Sequence, residues 1–429
     1  MSDTSCKAAL LILAEQAVQQ VAADDHPLEY FRDAVAMYNL ERDHVVDQLP
    51  AFTDAHNALG SLQIVQERYG HSEWLALQFV FGFLGTLSEP TFDLSVFETT
   101  WEAFWKELSE PEWTWLGLAN LLNFRSESML LDLGDDITIR GRSFEQLAAM
   151  GWSEDRLEQL SREWFEGHVN SSHIILAEHT RPRTPDTFVL TDSTVYEKVA
   201  RILLALRLLK EGDIGIGRMW ILRPESFRLS SGGSGAMGYV ASGMPGPAYR
   251  LDEPELQSVR DIYSKLLRYE RVREKAPVNL DLALRSFSDV YERRTIRSDT
   301  RLVETITAVE ALLGTDIEIN FRLAFRISQI LGDDDDERLA IFDQMKRYYD
   351  TRSRVVHGEP LKGKHRRLLE DQQALRDMVR RLLIGFIHLT VSSGHSFGKT
   401  FFRERLDAAL LHSTRRSELR VAMALEQDI

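Results

Sequence analysis

Hydrophobic and polar positions follow one pattern up to about residue 252 and another after it. In residues 1–110 the apolar positions recur at helical steps. Lys7–Ala23, Ala58–Tyr69 and Ser95–Leu108 each read as an amphipathic helix. In residues 111–252 short apolar runs alternate with turn signals. Met129–Arg140 reads as two strands joined at Gly134–Asp136, and His173–Ala177 and Thr187–Leu190 as short strands. Ser143–Met150 and Ser153–Phe165 read as helices, the second with Ser153 as N-cap. Val195–Leu209 reads as an apolar helix and Ile214–Leu222 as a strand. Beyond 252 come long, charged, amphipathic helices: Glu253–Arg273, then about 278–294, 299–313, 320–331, 336–357 and 366–392. Ala276-Pro277 breaks the first from the second, and short links between such helices favour an antiparallel bundle. The expected architecture is an α+β region over 1–252, an all-α bundle over 253–395 and a helical tail over 396–429, with patterns at Arg405–Leu411 and Glu418–Leu425. The chain should be predominantly α overall.

Composition narrows the class. Hydrophobic residues make up 44% and charged residues 27%, as in an ordinary globular protein. The single cysteine, Cys6, excludes an intramolecular disulfide and a multi-cysteine zinc site, and points to a reducing cytosol. Acidic Asp3 and the glutamines at 16, 19 and 20 do not suit a secretory signal. The apolar stretches Trp74–Leu87 and Leu382–Val391 fall short of the roughly 20 residues a membrane span needs. A cytoplasmic protein without a membrane partner is expected.

Charge separates the two halves. Residues 1–180 hold 10 Lys/Arg against 30 Asp/Glu, and the remainder 41 against 36, giving the net −15. An acidic whole argues against indiscriminate coating of nucleic acid. The basic residues cluster at Lys362, Lys364, His365, Arg366, Arg367, Arg376, Arg380 and Arg381, which read either as a solvated helix face or as a phosphate-binding surface.

Other motifs are weaker. Gly233–Gly238 matches G-x-G-x-x-G but runs into a turn-rich segment instead of a helix, so it reads as a loop between strands. There is no G-x-x-x-x-G-K-[ST] and no H-E-x-x-H. The acidic run Asp333–Glu337 suits a solvated link at a helix N-terminus better than a metal site. Trp101, Trp105, Trp113 and Trp115 suit core packing better than a stacking cage. No metal and no cofactor are expected.

The stretch Tyr348–Gly358 carries the chemistry. It reads as a helix end, stopped by Gly358 and Pro360. Phe342, Met345, Tyr349, Arg352 and Val356 recur on one face, which predicts an arginine on a core-facing stripe. His357 follows five residues later, about 140° around a straight helix from Arg352. The blander reading is a paired structural arginine and a histidine capping the last carbonyls. On α-helical spacing, Glu310 shares a face with Val303, Ile306 and Leu313, and is expected to orient Arg352, Arg322 or Arg326.

Arg352-Ser-Arg-Val-Val-His357-Gly358 resembles the R-x4-6-H motif of HEPN domains, and most closely the Apea-like branch with its Y-x-x-R-S-x-x-V-H-G. Arg301–Gly314 resembles that branch's "ALEALL" helix, Phe321–Arg326 its next helix, and Leu280–Phe287 the helix that opens its bundle. The resemblance covers roughly residues 254 to 395. It implies a HEPN-like antiparallel bundle and a metal-independent endoribonuclease in prokaryotic antiphage defence or toxin-like RNA cleavage. Arg352 and His357 would be catalytic, with Glu310, Tyr349, Ser353 and Arg354 in support. Arg322, Arg326, Lys362, Lys364, Arg366 and Arg367 would contact RNA, tRNA being one candidate. It further implies a homodimer that brings two motifs into one cleft, and residues 1–252 as a regulatory region for a phage-derived trigger. Ser353 stands where many members carry Asn, Asp or His. A non-catalytic HEPN module that binds RNA or nucleotide, or serves as a scaffold, is the alternative.

Overall fold

The first helix, α1 (Asp3–Ala23), forms because Cys6, Leu10, Leu13, Ala17 and Val21 fall on one face at three- and four-residue steps. Burial, with Asp3 nearby, pushes the Cys6 thiol up to about 12, so it behaves as a small apolar side chain. The computed structural model describes residues 3–24, 28, 31, 46–141, 173–187, 193–222, 227, 229, 235–238, 247–292, 297–314, 317–392 and 397–425. It is predominantly helical. Two compact units make up the chain: Met1–Gly117 with Glu178–Tyr196 and Trp220–Ala236, and Leu118–Ala177 with Glu197–Met219 and Met237–Ile429. These segments interleave, so the division differs from the sequential one expected at residue 252.

In the first unit α1 packs with α2 (Phe52–Gly60) and α4 (Ser72–Thr86), and α4 packs on α5 (Leu94–Ser109). The single helix expected over Ala58–Tyr69 is broken between α2 and α3 (Gln63–Arg68). Leu62 is extended there, and the Ser61 hydroxyl donates to the Ala58 carbonyl at 2.7 Å, a local bond that competes with helix continuation. Helix α4 escapes a reading by periodicity because Phe79, Val80, Phe81, Phe83 and Leu84 are all buried, leaving no polar face. Trp101, Trp113 and Trp115 are buried. The Arg183 guanidinium lies 4.1 Å over the Trp113 ring and donates to the Glu107 and Glu112 carbonyls. Trp101, Trp113 and Trp115 are core residues, and Trp105 is half-buried with its ring stacked on Trp101 at 5.3 Å.

A six-stranded sheet takes the order β3-β4-β5-β1-β6-β7. Its strands are β1 (Glu112–Leu122), β3 (Leu130–Gly134), β4 (Ile137–Gly141), β5 (His173–Pro182), β6 (Gly215–Leu222) and β7 (Gly235–Gly238); β2 (Phe124–Arg125) instead pairs parallel with β8 (Tyr249–Arg250). The expected hairpin is present as antiparallel β3–β4, and its tip places Gly134, Asp135 and Asp136 at φ 78°, 53° and 57°. Lys198, on α6 (Ser193–Leu209), donates to the Asp135 carbonyl at 2.9 Å, and the Tyr263 hydroxyl donates to the Asp135 carboxylate at 2.7 Å. Gly235–Gly238, expected in a loop, is a strand. The helices expected within 143–165 and the strand residues 188–190 lie outside the described residues.

The helices after 252 are α7 (Leu256–Val272), α8 (Leu280–Glu292), α9 (Ser298–Leu313), α10 (Ile319–Leu331), α11 (Asp335–Val356), α12 (Lys364–Glu370) and α13 (Gln373–Val391). α8 packs on α9, α10 on α11, and α7 on α13. Asp334 caps α11 by accepting from the Glu337 N–H at 2.8 Å, so the acidic run is a helix start. The single helix expected over 366–392 is broken at Asp371–Gln372. There the Gln372 amide donates to the Ser298 and Leu369 carbonyls.

Arg376 and Arg380, expected in a phosphate-binding run, are buried and paired with Glu211. Burial by itself pushes the Glu211 carboxyl up; the two guanidiniums outweigh it and hold it below the usual glutamate range. Arg381 donates to the Leu331 carbonyl at 2.9 Å. The tail is one π-helical turn (Phe401–Arg405) followed by α14 (Leu406–Leu411) and α15 (Ser413–Ala422), both packed on α10.

Candidate functional site

The side chains of α11 are rotated relative to the expected stripe. Ile341, Met345, Tyr348 and Thr351 face the core. Phe342, Tyr349 and Arg352 are half-buried, and Val356 is 52% exposed. The rotation has a local cause. Thr351 is fully buried because its hydroxyl donates to the Arg347 carbonyl at 2.7 Å, a satisfied polar group that an apolar count does not register. Arg352 therefore lies on the flank of the helix and not in its core.

On that flank Arg352 meets α9. Its Nη2 stands 3.5 Å from Glu310 Oε2, and the Tyr349 hydroxyl donates to Glu310 Oε1 at 3.1 Å. The guanidinium carbon also sits 5.8 Å from the centre of the Tyr349 ring. Burial and the Glu310 carboxylate raise the Tyr349 phenol above its usual value, which keeps it a donor. One carboxylate thus accepts from a phenol and stands within ion-pair range of an arginine fork, while Arg352 Nε has no hydrogen-bond partner among the described residues. Arg322 and Arg326 do not pair with Glu310. Both reach Asp407, at 3.5 and 2.6 Å, and Arg326 also donates to the Leu313 carbonyl. Arg326 is 4% exposed, so it ties the tail to α10 and does not face RNA as expected.

His357 is the C-cap of α11 and is exposed, with no side-chain partner among the described residues. Gly358 supplies the left-handed position, φ 69°, and its N–H donates to the Val355 carbonyl at 3.1 Å. The Glu359 N–H donates to the Arg354 carbonyl at 2.9 Å, completing a Schellman closure. This closure fixes where the imidazole leaves the helix. Arg354 points elsewhere, with Nη1 3.0 Å from Glu359 and Nε 3.6 Å from Asp350. Ser353 is half-buried.

A second imidazole borders the same helix. Since Thr351 donates to Arg347, the 2.9 Å contact between Thr351 Oγ1 and His365 Nδ1 makes Nδ1 the donor. His365 Nε2 then faces Asp350 Oδ2 at 3.5 Å. The sequence showed His365 only as one member of a basic run, because its partners lie on a different helix. Lys362, Lys364, Arg366 and Arg367 are exposed, Arg366 sharing its charge with Glu370 at 3.1 Å.

Among the described residues no group of three or more His, Cys, Asp or Glu is placed to hold a metal ion, and no helix is long and apolar enough to cross a membrane. No family model matches the chain, and neither does any curated protein or solved structure.

Proposed function

We propose that the protein is a metal-independent endoribonuclease of HEPN type. The observation that carries this reading is the half-exposed Arg352 fork, oriented by Glu310 and Tyr349 and followed one turn later by the exposed His357. RNA brings its own nucleophile. The ribose 2′-oxygen attacks the adjacent phosphorus, the bond from phosphorus to the 5′-oxygen breaks, and a 2′,3′-cyclic phosphate remains. His357 exchanges the protons, taking one from the 2′-hydroxyl or giving one to the leaving 5′-oxygen. Arg352 stabilises the charge that builds on the phosphate oxygens, its fork matching two of them. Glu310 and Tyr349 act as positioning residues. The exposed Lys362, Lys364 and Arg367 suit the RNA backbone, and a second copy of the motif across a two-fold contact would complete the cleft. The resemblance to the Apea-like branch supports an antiphage or toxin-like role in the cytoplasm, with the N-terminal region responding to a trigger.

A non-catalytic RNA-binding or scaffold module is favoured by one observation: the Arg352 fork already has a carboxylate partner in Glu310. The two readings separate on purified protein incubated with total RNA in EDTA. Fragments with 2′,3′-cyclic phosphate ends, lost in His357→Ala, support the nuclease. Binding without cleavage, together with harmless overexpression of wild type, supports the scaffold.

A further inference from the structure

The tail holds a set of cations that the fold leaves uncompensated. Elsewhere in this unit Arg326 pairs with Asp407, Arg376 and Arg380 with Glu211, and Arg420 with Asp333. Beside the π-helical turn a groove of about 660 Å³ is treated differently. Lys399, Thr400, Glu404, Arg405, His412 and Arg415 line it. None of Lys399, Arg405 and Arg415 has an ion pair or side-chain hydrogen bond among the described residues, and Glu404 is the one carboxylate on the wall. Gly398, Ala408 and Ala409 supply the small side chains that leave the groove open.

The π-helical turn builds this wall. Phe401 and Phe402 are consecutive and both buried, with ring centroids 5.3 Å apart, Phe401 against Phe397 and Phe402 against Phe386. The wider turn buries both and leaves Arg403, Glu404 and Arg405 outside in succession.

We propose that this groove holds the phosphodiester backbone of a nucleic-acid strand. Three cations without an ion pair among the described residues, together with a hydroxyl and an imidazole, are donors suited to phosphate oxygens. The volume falls within the range of about 300–1,000 Å³ typical of ligand sites and exceeds what one phosphate fills. Phe401 is buried and offers no face for base stacking, so the groove reads the backbone and not the sequence.

The test uses the full chain and a fluorescent 2′-O-methyl oligouridine, which lacks a free 2′-nucleophile and so reports binding whether or not His357 cleaves. Lys399→Glu/Arg405→Glu/Arg415→Glu should weaken binding by at least about tenfold and flatten the slope of log affinity against log salt by about two, for three phosphate contacts. Arg415→Gln, at an exposed position, should weaken it by about threefold, and Lys275→Glu, exposed after α7, should not. His357→Ala should bind like wild type. Unchanged affinity in the triple variant or in Arg415→Gln, no binding by wild type at physiological salt, or displacement by ATP more effective than by unlabelled oligonucleotide would each overturn the proposal.

Discussion

Arg352 and Arg354 stand two positions apart on one helix and meet different surroundings. Arg352 reaches Glu310 on α9, whereas Arg354 bonds to Asp350 and Glu359 of its own segment. A planar fork beside a fixed carboxylate has a job that a lysine cannot copy. If the nuclease reading holds, Arg352→Lys should lose about 100-fold in cleavage, the usual cost of removing one oriented charge donor. Arg354→Lys should cleave almost normally at low ionic strength and lose ground only as salt rises. Initial rates on a defined RNA give the ranking. A reversed order would make Arg354, three residues before His357, the working partner.

At the scale of the element, the end of α11 rests on Gly358. A Cβ there would meet nothing within 4 Å, so the only penalty of a side chain is the left-handed backbone itself. Gly358→Ala should destabilise the protein by about 1 kcal/mol in urea unfolding, and Gly358→Asn should recover much of that, since asparagine tolerates the conformation. Equal losses for both would show that the Schellman closure is not what the glycine serves. This helix end was legible in the sequence because its signals are local: Gly358, Pro360 and the acidic N-terminus at Asp334. Glu310 was legible in part: its helical spacing set it beside a core-facing stripe and left Arg352, Arg322 and Arg326 open as partners, of which it meets Arg352. Other features were hidden for physical reasons. Helix α4 has no polar face to give it a period, and the break at Gln372 depends on a carbonyl 74 positions away. The burial of Arg376 and Arg380 depends on Glu211, at least 165 positions upstream, which no window reading could connect to them. Thr351 reversed the stripe because hydrogen bonding inside the helix satisfies its hydroxyl.

At the scale of the whole molecule, the decisive question is whether one chain suffices. Arg352 and His357 lie about 140° apart around a straight helix, and the Schellman closure leaves His357 exposed with no side-chain partner among the described residues. The flank that carries Arg352 also carries unburied apolar surface. Phe321 is 53% exposed, lies edge-on to Phe342 at 5.6 Å, and is joined by Ile317, Leu339 and Val356 among the exposed apolar side chains of this unit. Phe342, Tyr349, Arg352 and Val356 recur at helical spacing, so covering Phe342 with a second copy would also draw the two Arg352 side chains toward one another. A two-fold contact would bury the aromatic edge and place one chain's His357 near its partner's arginine, removing the angular conflict without unwinding α11. Light scattering at micromolar concentration should therefore return twice the 49.2 kDa chain mass. Phe321→Glu should return the single mass with little change in melting temperature, because the ring it replaces is already half in water. A wild-type monomer that nonetheless cleaves RNA would place both halves of the motif within one chain and refute the shared cleft.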